Sequence, residues 1–404
     1  MRILTIAPQP FFQPRGTPFS ELYRARALTE LGHEVDMVTY PIGDDVSIPG
    51  LRILRAPRVP GIRSVRIGPS AAKLVLDAGV FASSLKRLLT TRYDLLDCHE
   101  EGGLMGVVLA KLFKVPVLYD MHSSLPEQLS NFKYSRNGLV RAVFDRAERV
   151  TVKGSDGVIV ICPYLKDVVA SIDPEKPCFL IENSPLAETG EEVSDELAMS
   201  LRKDLGLEDA FVCLYTGTFE AYQGLPLLYQ SIRIVAESLP SARLLLVGGT
   251  ASQLDEAKRE VSRFGLEGRV VFTGQRPPSE MPRFLAVADV LVSPRSSGTN
   301  TPLKIYSYLR SGKPIVATRL LTHTQVLDDG SAALTEPTPE SFAEAILALA
   351  SDPERRRRLG AEARRVSEER YSYERYLERT REVLEFVSSA IANPESARAA
   401  ATDT

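Results

Sequence analysis

Two doubly wound α/β domains, each a parallel sheet with helices on both faces, are predicted by three observations. Short runs rich in Val, Ile and Leu alternate with longer helical patterns along the whole chain, as expected when buried parallel strands are joined by crossover helices. The alternation restarts in the second half. Between the halves lies NSPLAETGEEVSDE, beginning at Asn183, which is acidic and poor in apolar side chains and reads as a hinge. A length of 404 residues suits two cores of about 150–200 residues each.

The first half supplies strands at RILTIA, EVDMVTY, LRILRA, DLLDCH, VPVLYDMH, GVIVIC and PCFLIE. The second supplies AFVCLYTG, ARLLLVGG, GRVVFTG, DVLVSP, KPIVAT and SAALTE. The expected boundaries are a first domain over 1–183, a hinge over 184–196 and a second domain over 197–369. A C-terminal helix over 370–392, with Tyr376, Val383, Leu384 and Val387 at helical spacing, is expected to cross back to the first domain. A tail over 393–404 reads as disordered, and Arg355 to Arg358 read as a solvated helix face.

Composition narrows the classes. A net charge of -3 with 25% charged residues argues against a nucleic-acid partner. Cys98, Cys162, Cys178 and Cys213 lack metal-site or redox spacing and read as buried thiols of a reducing cytoplasm. The opening MRILTIAPQP is a strand and not a leader, and no apolar run reaches the ~18 residues of a spanning helix. Between Leu51 and Arg92, nine Lys and Arg residues face only Asp77, and SAAKLVLDAGVFASSLKRLL is amphipathic. That pattern predicts peripheral contact with the inner face of a membrane, with a core-facing helix as the alternative.

Ligands of open parallel sheets settle at the carboxyl ends of strands, and two such sheets make the cleft between them the expected site. After the first strand, Arg15, Gly16 and Thr17 precede a helix expected to begin near Pro18. His122 follows VPVLYDM, where an imidazole can bond a substrate hydroxyl or share a proton. His99 and Glu100 end the neighbouring strand. In the second half, Gly217 and Gly224 frame a loop, and Gly248 and Gln275 follow the next two strands. The turn Gly298, Thr299, Asn300, Thr301 precedes a helix started by Pro302, with Arg295 and Lys304 beside it. A helix N-terminus flanked by two cations is a phosphate-binding arrangement.

These residues carry a resemblance. SPRSSGTNTPLKIYSYLRSGKPIVAT resembles the donor motif of family 4 glycosyltransferases, which are retaining enzymes of the GT-B fold, and RGTPFSELYRARALTELGHEVDMVTY, YDMHSSLPEQ and YTGTFEAYQG follow in the family's order. The resemblance implies two Rossmann-like domains facing across a cleft and transfer of a sugar from a nucleotide-sugar donor to a hydroxyl acceptor, lipid-linked or of a cell-envelope glycan. It implies that Gly16 and Thr17 serve the acceptor and leaving group, with Arg15, His99 and Glu100 on the acceptor side, and that His122 approaches the transferred sugar. Gly217 and Gly224 match the frame of the loop GRxxxxKG, in which Thr218 replaces the arginine and Gln223 the lysine. Thr299 and Ser307 stand at the glutamates of E-x7-E. Neutral hydroxyls still bond sugar hydroxyls, though less strongly than carboxylates, and Arg295 and Lys304 are the expected replacement for the lost cations. No Asp-x-Asp occurs, so no metal or other cofactor is expected beyond the donor itself. The four replacements leave two alternatives open, a non-catalytic nucleotide-sugar-binding relative and another GT-B enzyme such as a sugar-nucleotide epimerase.

Overall fold

The computed structural model describes residues 1–13, 16–65, 70–127, 138–184 and 193–392. Arg15, most of the expected hinge and the expected tail lie outside these residues. The chain forms two units, Met1–Asn183 with the segment from Glu374 onward, and Ser184–Tyr373.

In the first unit, β1 (Arg2–Ala7), β2 (Glu34–Thr39), β3 (Leu51–Arg55), β4 (Leu95–His99), β5 (Val117–Met121), β6 (Gly157–Val160) and β7 (Cys178–Leu180) form one parallel sheet in the order β3-β2-β1-β4-β5-β6-β7. Its helices include α1 (Gly16–Glu30), α2 (Ala71–Thr90), α3 (Gly102–Phe113), α4 (Gly138–Gly154) and α5 (Pro163–Ile172). Helix α1 begins at Gly16, two residues before the expected start. Ser70 caps α2 by accepting from the Lys73 N–H.

In the second unit, β8 (Phe211–Gly217), β9 (Ala242–Gly248), β10 (Val270–Gly274), β11 (Val290–Ser293), β12 (Ile315–Thr318) and β13 (Ala333–Thr335) form a parallel sheet in the order β10-β9-β8-β11-β12-β13. The helices are α6 (Asp195–Asp204), α7 (Leu225–Ser238), α8 (Ala251–Arg263), α9 (Met281–Val287), α10 (Leu303–Ser311), α11 (Leu321–Thr324), α12 (Pro339–Ser351) and α13 (Pro353–Arg370). Alternate residues of one strand feed opposite cores. Val212 and Leu214 pack with Leu291 and Ile315 on one face, while Cys213 and Tyr215 pack with Val290 and Val316 on the other. Burial on both faces is why these strands read as unbroken apolar runs.

The last helix, α14 (Tyr373–Ala392), belongs from Glu374 to the first unit. Phe386 packs on Phe179 with ring centroids 5.2 Å apart, and Arg379 reaches Glu182 at 3.3 Å.

Two surface segments also serve the fold. Of the cations between Leu51 and Arg92, Arg52 and Arg87 pair with Asp36, Arg55 with Asp45, and Lys73 with Glu101, so four of the nine serve the fold. Within Arg355 to Arg358, Arg356 donates to the Leu349 and Ala350 carbonyls and so caps the end of α12. Helix α2 turns Leu76, Val80 and Leu88 inward but leaves Leu74 (73%) and Leu89 (69%) exposed. No helix among the described residues is long and apolar enough to cross a membrane.

Candidate functional site

In the second unit the strand order reverses between β8 and β11, which makes their carboxyl ends the crevice of the sheet. The loop after β8 leads into α7, and the loop after β11 leads into α10. They are tied together: the Ser296 N–H donates to the Tyr222 carbonyl at 3.1 Å, and the Arg295 guanidinium lies 5.0 Å over the Tyr222 ring. Gly224 has φ 77°, and a Cβ there would stand 1.8 Å from the Pro294 carbonyl oxygen. Only glycine meets both demands. Gly248 likewise approaches the Gly217 carbonyl, where a Cβ would stand 1.9 Å away.

Two cations converge there. Lys304, in the first turn of α10, places Nζ 3.2 Å from Gln223 Oε1 and 3.7 Å from the centre of the Tyr215 ring, and a Cβ on Gly217 would stand 3.3 Å from it. Arg295 donates from Nη1 to the Asn300 carbonyl at 2.6 Å and to Thr322 Oγ1 at 2.5 Å, while its Nε is buried without a hydrogen bond. Among the described residues neither cation forms an ion pair. Burial pushes the Lys304 ammonium well below the usual lysine range, with Arg295 adding to the push. Burial also lowers Arg295, against the opposing influence of Tyr222 and Tyr215. Half-buried charge without a counter-charge is unfavourable in the free protein and favours an anionic ligand. The N-termini of α7 and α10 add donor N–H groups at the same place.

The turn that carries the expected donor residues is held from beneath by α11. Thr322 Oγ1 donates to the Asn300 carbonyl at 2.5 Å and Gln325 Nε2 to the Thr299 carbonyl at 2.7 Å. His323 anchors α11 itself, with Nδ1 2.8 Å from the Thr318 carbonyl and Nε2 2.8 Å from Ser293 Oγ. Burial holds this imidazole neutral, its pKa pushed down to about 3. Thr301 is buried with Oγ1 unbonded, Ser307 sits half-buried on α10, and the Thr218 carbonyl accepts from the Tyr215 hydroxyl at 2.7 Å. Gln275 stands exposed at the end of β10, the edge strand, outside the bonds that join the other loops.

In the first unit the strand order reverses between β1 and β4. His99 ends β4 and His122 follows β5, both buried. His99 Nδ1 lies 3.2 Å from His122 Nε2, and the rings lie nearly parallel at 25°. Asp97 Oδ2 lies 3.3 Å from His99 Nε2, and Asp120 reaches both histidines, at 3.5 Å and 3.2 Å. Arg24 of α1 pairs with Asp97 at 3.2 Å, both ends almost fully buried. Burial disfavours the charged form of His99, but Asp120 and Asp97 outweigh it and raise the pKa to about 9. Burial lowers His122 to about 4 against the pull of Asp120, with the His99 charge assisting. Glu21, buried beside them, is pushed up to about 8 chiefly by desolvation.

The loop carrying His122 is fixed by two carboxylates. Ser123 Oγ donates to both Glu100 oxygens at 3.1 Å, and Glu148 accepts from the Leu125 N–H at 2.8 Å. Glu100 is buried with φ 48°. Gly16 lies exposed with nothing within 4 Å of an added Cβ, next to half-buried Thr17. Sequence reasoning did not find Arg24, Asp97, Asp120, Glu148 or His323.

Comparison with known proteins places both units. Residues 22–177 match the glycosyl transferase 4-like domain and residues 210–352 the model described as glycosyl transferases group 1. The chain is 22% identical over 366 residues to the phosphatidyl-myo-inositol mannosyltransferase of Mycolicibacterium smegmatis, covering 88% of this chain and 86% of that one. The fold matches the sucrose-phosphate synthase of Thermosynechococcus elongatus with a TM-score of 0.82 at 20% identity, covering 96% and 99% of the two chains. It also matches Anabaena HepE solved with UDP-glucose, with a TM-score of 0.74 at 17% identity, covering 95% and 99%.

Proposed function

The chain belongs to the glycosyltransferases that join a glycosyl transferase 4-like domain to a group 1 domain, and from that membership we propose that it is a retaining hexosyltransferase of family 4. It moves a sugar from a nucleotide-sugar donor to a hydroxyl acceptor, lipid-linked or of a cell-envelope glycan, and does so without a metal. One observation carries this reading: Arg295 and Lys304 stand half-buried at the reversal point of the second sheet, beside two helix N-termini, with no ion-pair partner among the described residues. Arg295 and Lys304 hold the donor diphosphate and take up the charge that builds on it as the sugar leaves, and being fixed in advance they need no reorganisation. In this assignment Lys304 stands in for the lysine absent at Gln223. The uncharged Thr299 and Ser307 serve hydroxyls of the donor. His122 is neutral and offers an N–H to the transferred sugar.

The M. smegmatis relative is a phosphatidyl-myo-inositol mannosyltransferase, and the HepE structure holds UDP-glucose. The first supports a lipid-borne acceptor and the second a nucleotide-sugar donor. Exposed Leu74 and Leu89 on α2, with Leu112 on α3, support peripheral membrane contact.

The test is incubation with UDP-, GDP- and ADP-sugars and anionic lipid vesicles, with product anomers read by proton NMR, with and without EDTA. Transfer with the donor's anomeric configuration kept supports the proposal. Tight donor binding without transfer supports the non-catalytic alternative, and conversion of the sugar without acceptor supports the epimerase.

A further inference from the structure

We propose that His99 is a positioning residue for His122: the buried chain Arg24, Asp97, His99, His122 fixes the tautomer and orientation in which His122 meets its ligand. The inference deepens the assignment of His122 to the sugar and rests on it.

Two imidazole nitrogens 3.2 Å apart have room for one proton between them. Which ring carries it follows from the neighbours. His99 has a carboxylate on each side, Asp97 at 3.3 Å from Nε2 and Asp120 at 3.5 Å from Nδ1. A ring so placed between two carboxylates is stabilised as the imidazolium. His122 Nε2 then accepts from His99 Nδ1. The remaining proton of His122 therefore stands on Nδ1. That nitrogen becomes a fixed donor, the form suited to a sugar oxygen.

Arg24 completes the chain. It pairs with Asp97 Oδ1 and also reaches Thr380 of α14 at 3.5 Å, so Asp97 stays ionised and correctly turned. Burial opposes ionisation of Asp97, but Arg24 and His99 together hold it well below the usual carboxylate range. The other titratable groups around the chain include Glu21 from α1, Lys73 from α2, Cys98 of β4, Tyr119 of β5, Glu100 and Glu101 at the start of α3, and Tyr376 of α14. His99, Asp120 and His122 offer ligand atoms within 4.8 Å of one another, a spacing a metal ion can bridge. Arg24 and the His99 imidazolium already supply the two positive charges that Asp97 and Asp120 require, so the proton chain accounts for the cluster.

The chain has four histidines, His33, His99, His122 and His323, so a full-length sample with 15N-labelled histidine gives four resolvable imidazole patterns, assigned with His122→Gln and His99→Gln. At pH 7 the expected result is a doubly protonated His99 and a neutral His122 with its proton on Nδ1. Asp97→Asn should neutralise His99 and leave His122 as a mixture of tautomers. A native His122 protonated on Nε2, a neutral native His99, or a stoichiometric bound metal by elemental analysis would each overturn the proposal. The native spectrum alone decides if a variant does not fold. Once a donor is known, His99→Gln should lower kcat about tenfold with KM for the donor little changed. If no donor is turned over, the transfer reading fails while the spectrum still tests the chain.

Discussion

Lys304 Nζ lies 3.2 Å from Gln223 Oε1, so an ammonium borne by α10 stands beside the loop position from which the resembling pattern projects its lysine. Under the proposed donor site, Lys304 takes the role of that lysine from another element.

Relocation predicts a rescue. Lys304→Ala should weaken nucleoside diphosphate binding by about tenfold to a hundredfold, the range for a hydrogen bond to a charged group. Adding Gln223→Lys to that variant should restore part of the affinity, whereas Gln223→Lys alone should lower the melting temperature by setting two ammoniums together. Titration calorimetry and calorimetric melting read the two effects.

Arg295 does more than carry charge, because it bonds the Asn300 carbonyl and Thr322 and stacks on Tyr222. Arg295→Ala should reduce stability and diphosphate affinity together. Arg295→Lys should not recover either, since a point charge cannot reproduce the planar fork. Melting curves with and without UDP, GDP or ADP separate the two losses.

Gly224 and Gly16 differ in kind. Gly224→Ala should destabilise the chain, because the Cβ meets the Pro294 carbonyl and the backbone is left-handed. Gly16→Ala meets nothing within 4 Å and should melt as the native protein does. A loss of transfer in that variant would then report contact with substrate.

Stability should be greatest between about pH 4.5 and 6.5 and fall on either side through different residues. His323 has a folded pKa of about 3, below its ordinary 6.5, so its contribution is present above about 6.5 and is lost as pH falls towards 3. Glu21 has a folded pKa raised from 4.5 to about 8, so its contribution is present below about 4.5 and is lost as pH rises through 8. Denaturant midpoints measured from pH 4 to 9 should decline at both ends, with the alkaline decline flattened in Glu21→Gln.

Much of this was legible in the sequence. All thirteen strands of the two sheets were marked by their apolar runs, and Gly224, Arg295 and Lys304 were marked by following strand ends. The first unit's cluster was not. Asp97 and Asp120 are single polar residues inside apolar strands, and Arg24 is one cation among several on a helix. Their meaning comes from pairings such as Arg24 with Asp97, 73 residues apart in sequence, which only the sheet order creates. His323 was silent for the same reason, since its partners end β11 and β12.

The central claim is that the donor diphosphate is held by cations from Arg295 and Lys304. Its most direct test is titration calorimetry of the native protein and of the Arg295→Ala/Lys304→Ala double variant with UDP, GDP and ADP. The account predicts that one diphosphate binds the native protein and that the double variant, still folded by circular dichroism, loses at least a hundredfold in affinity. Equal affinity in the two proteins, or no binding of any diphosphate to the native chain, would contradict it.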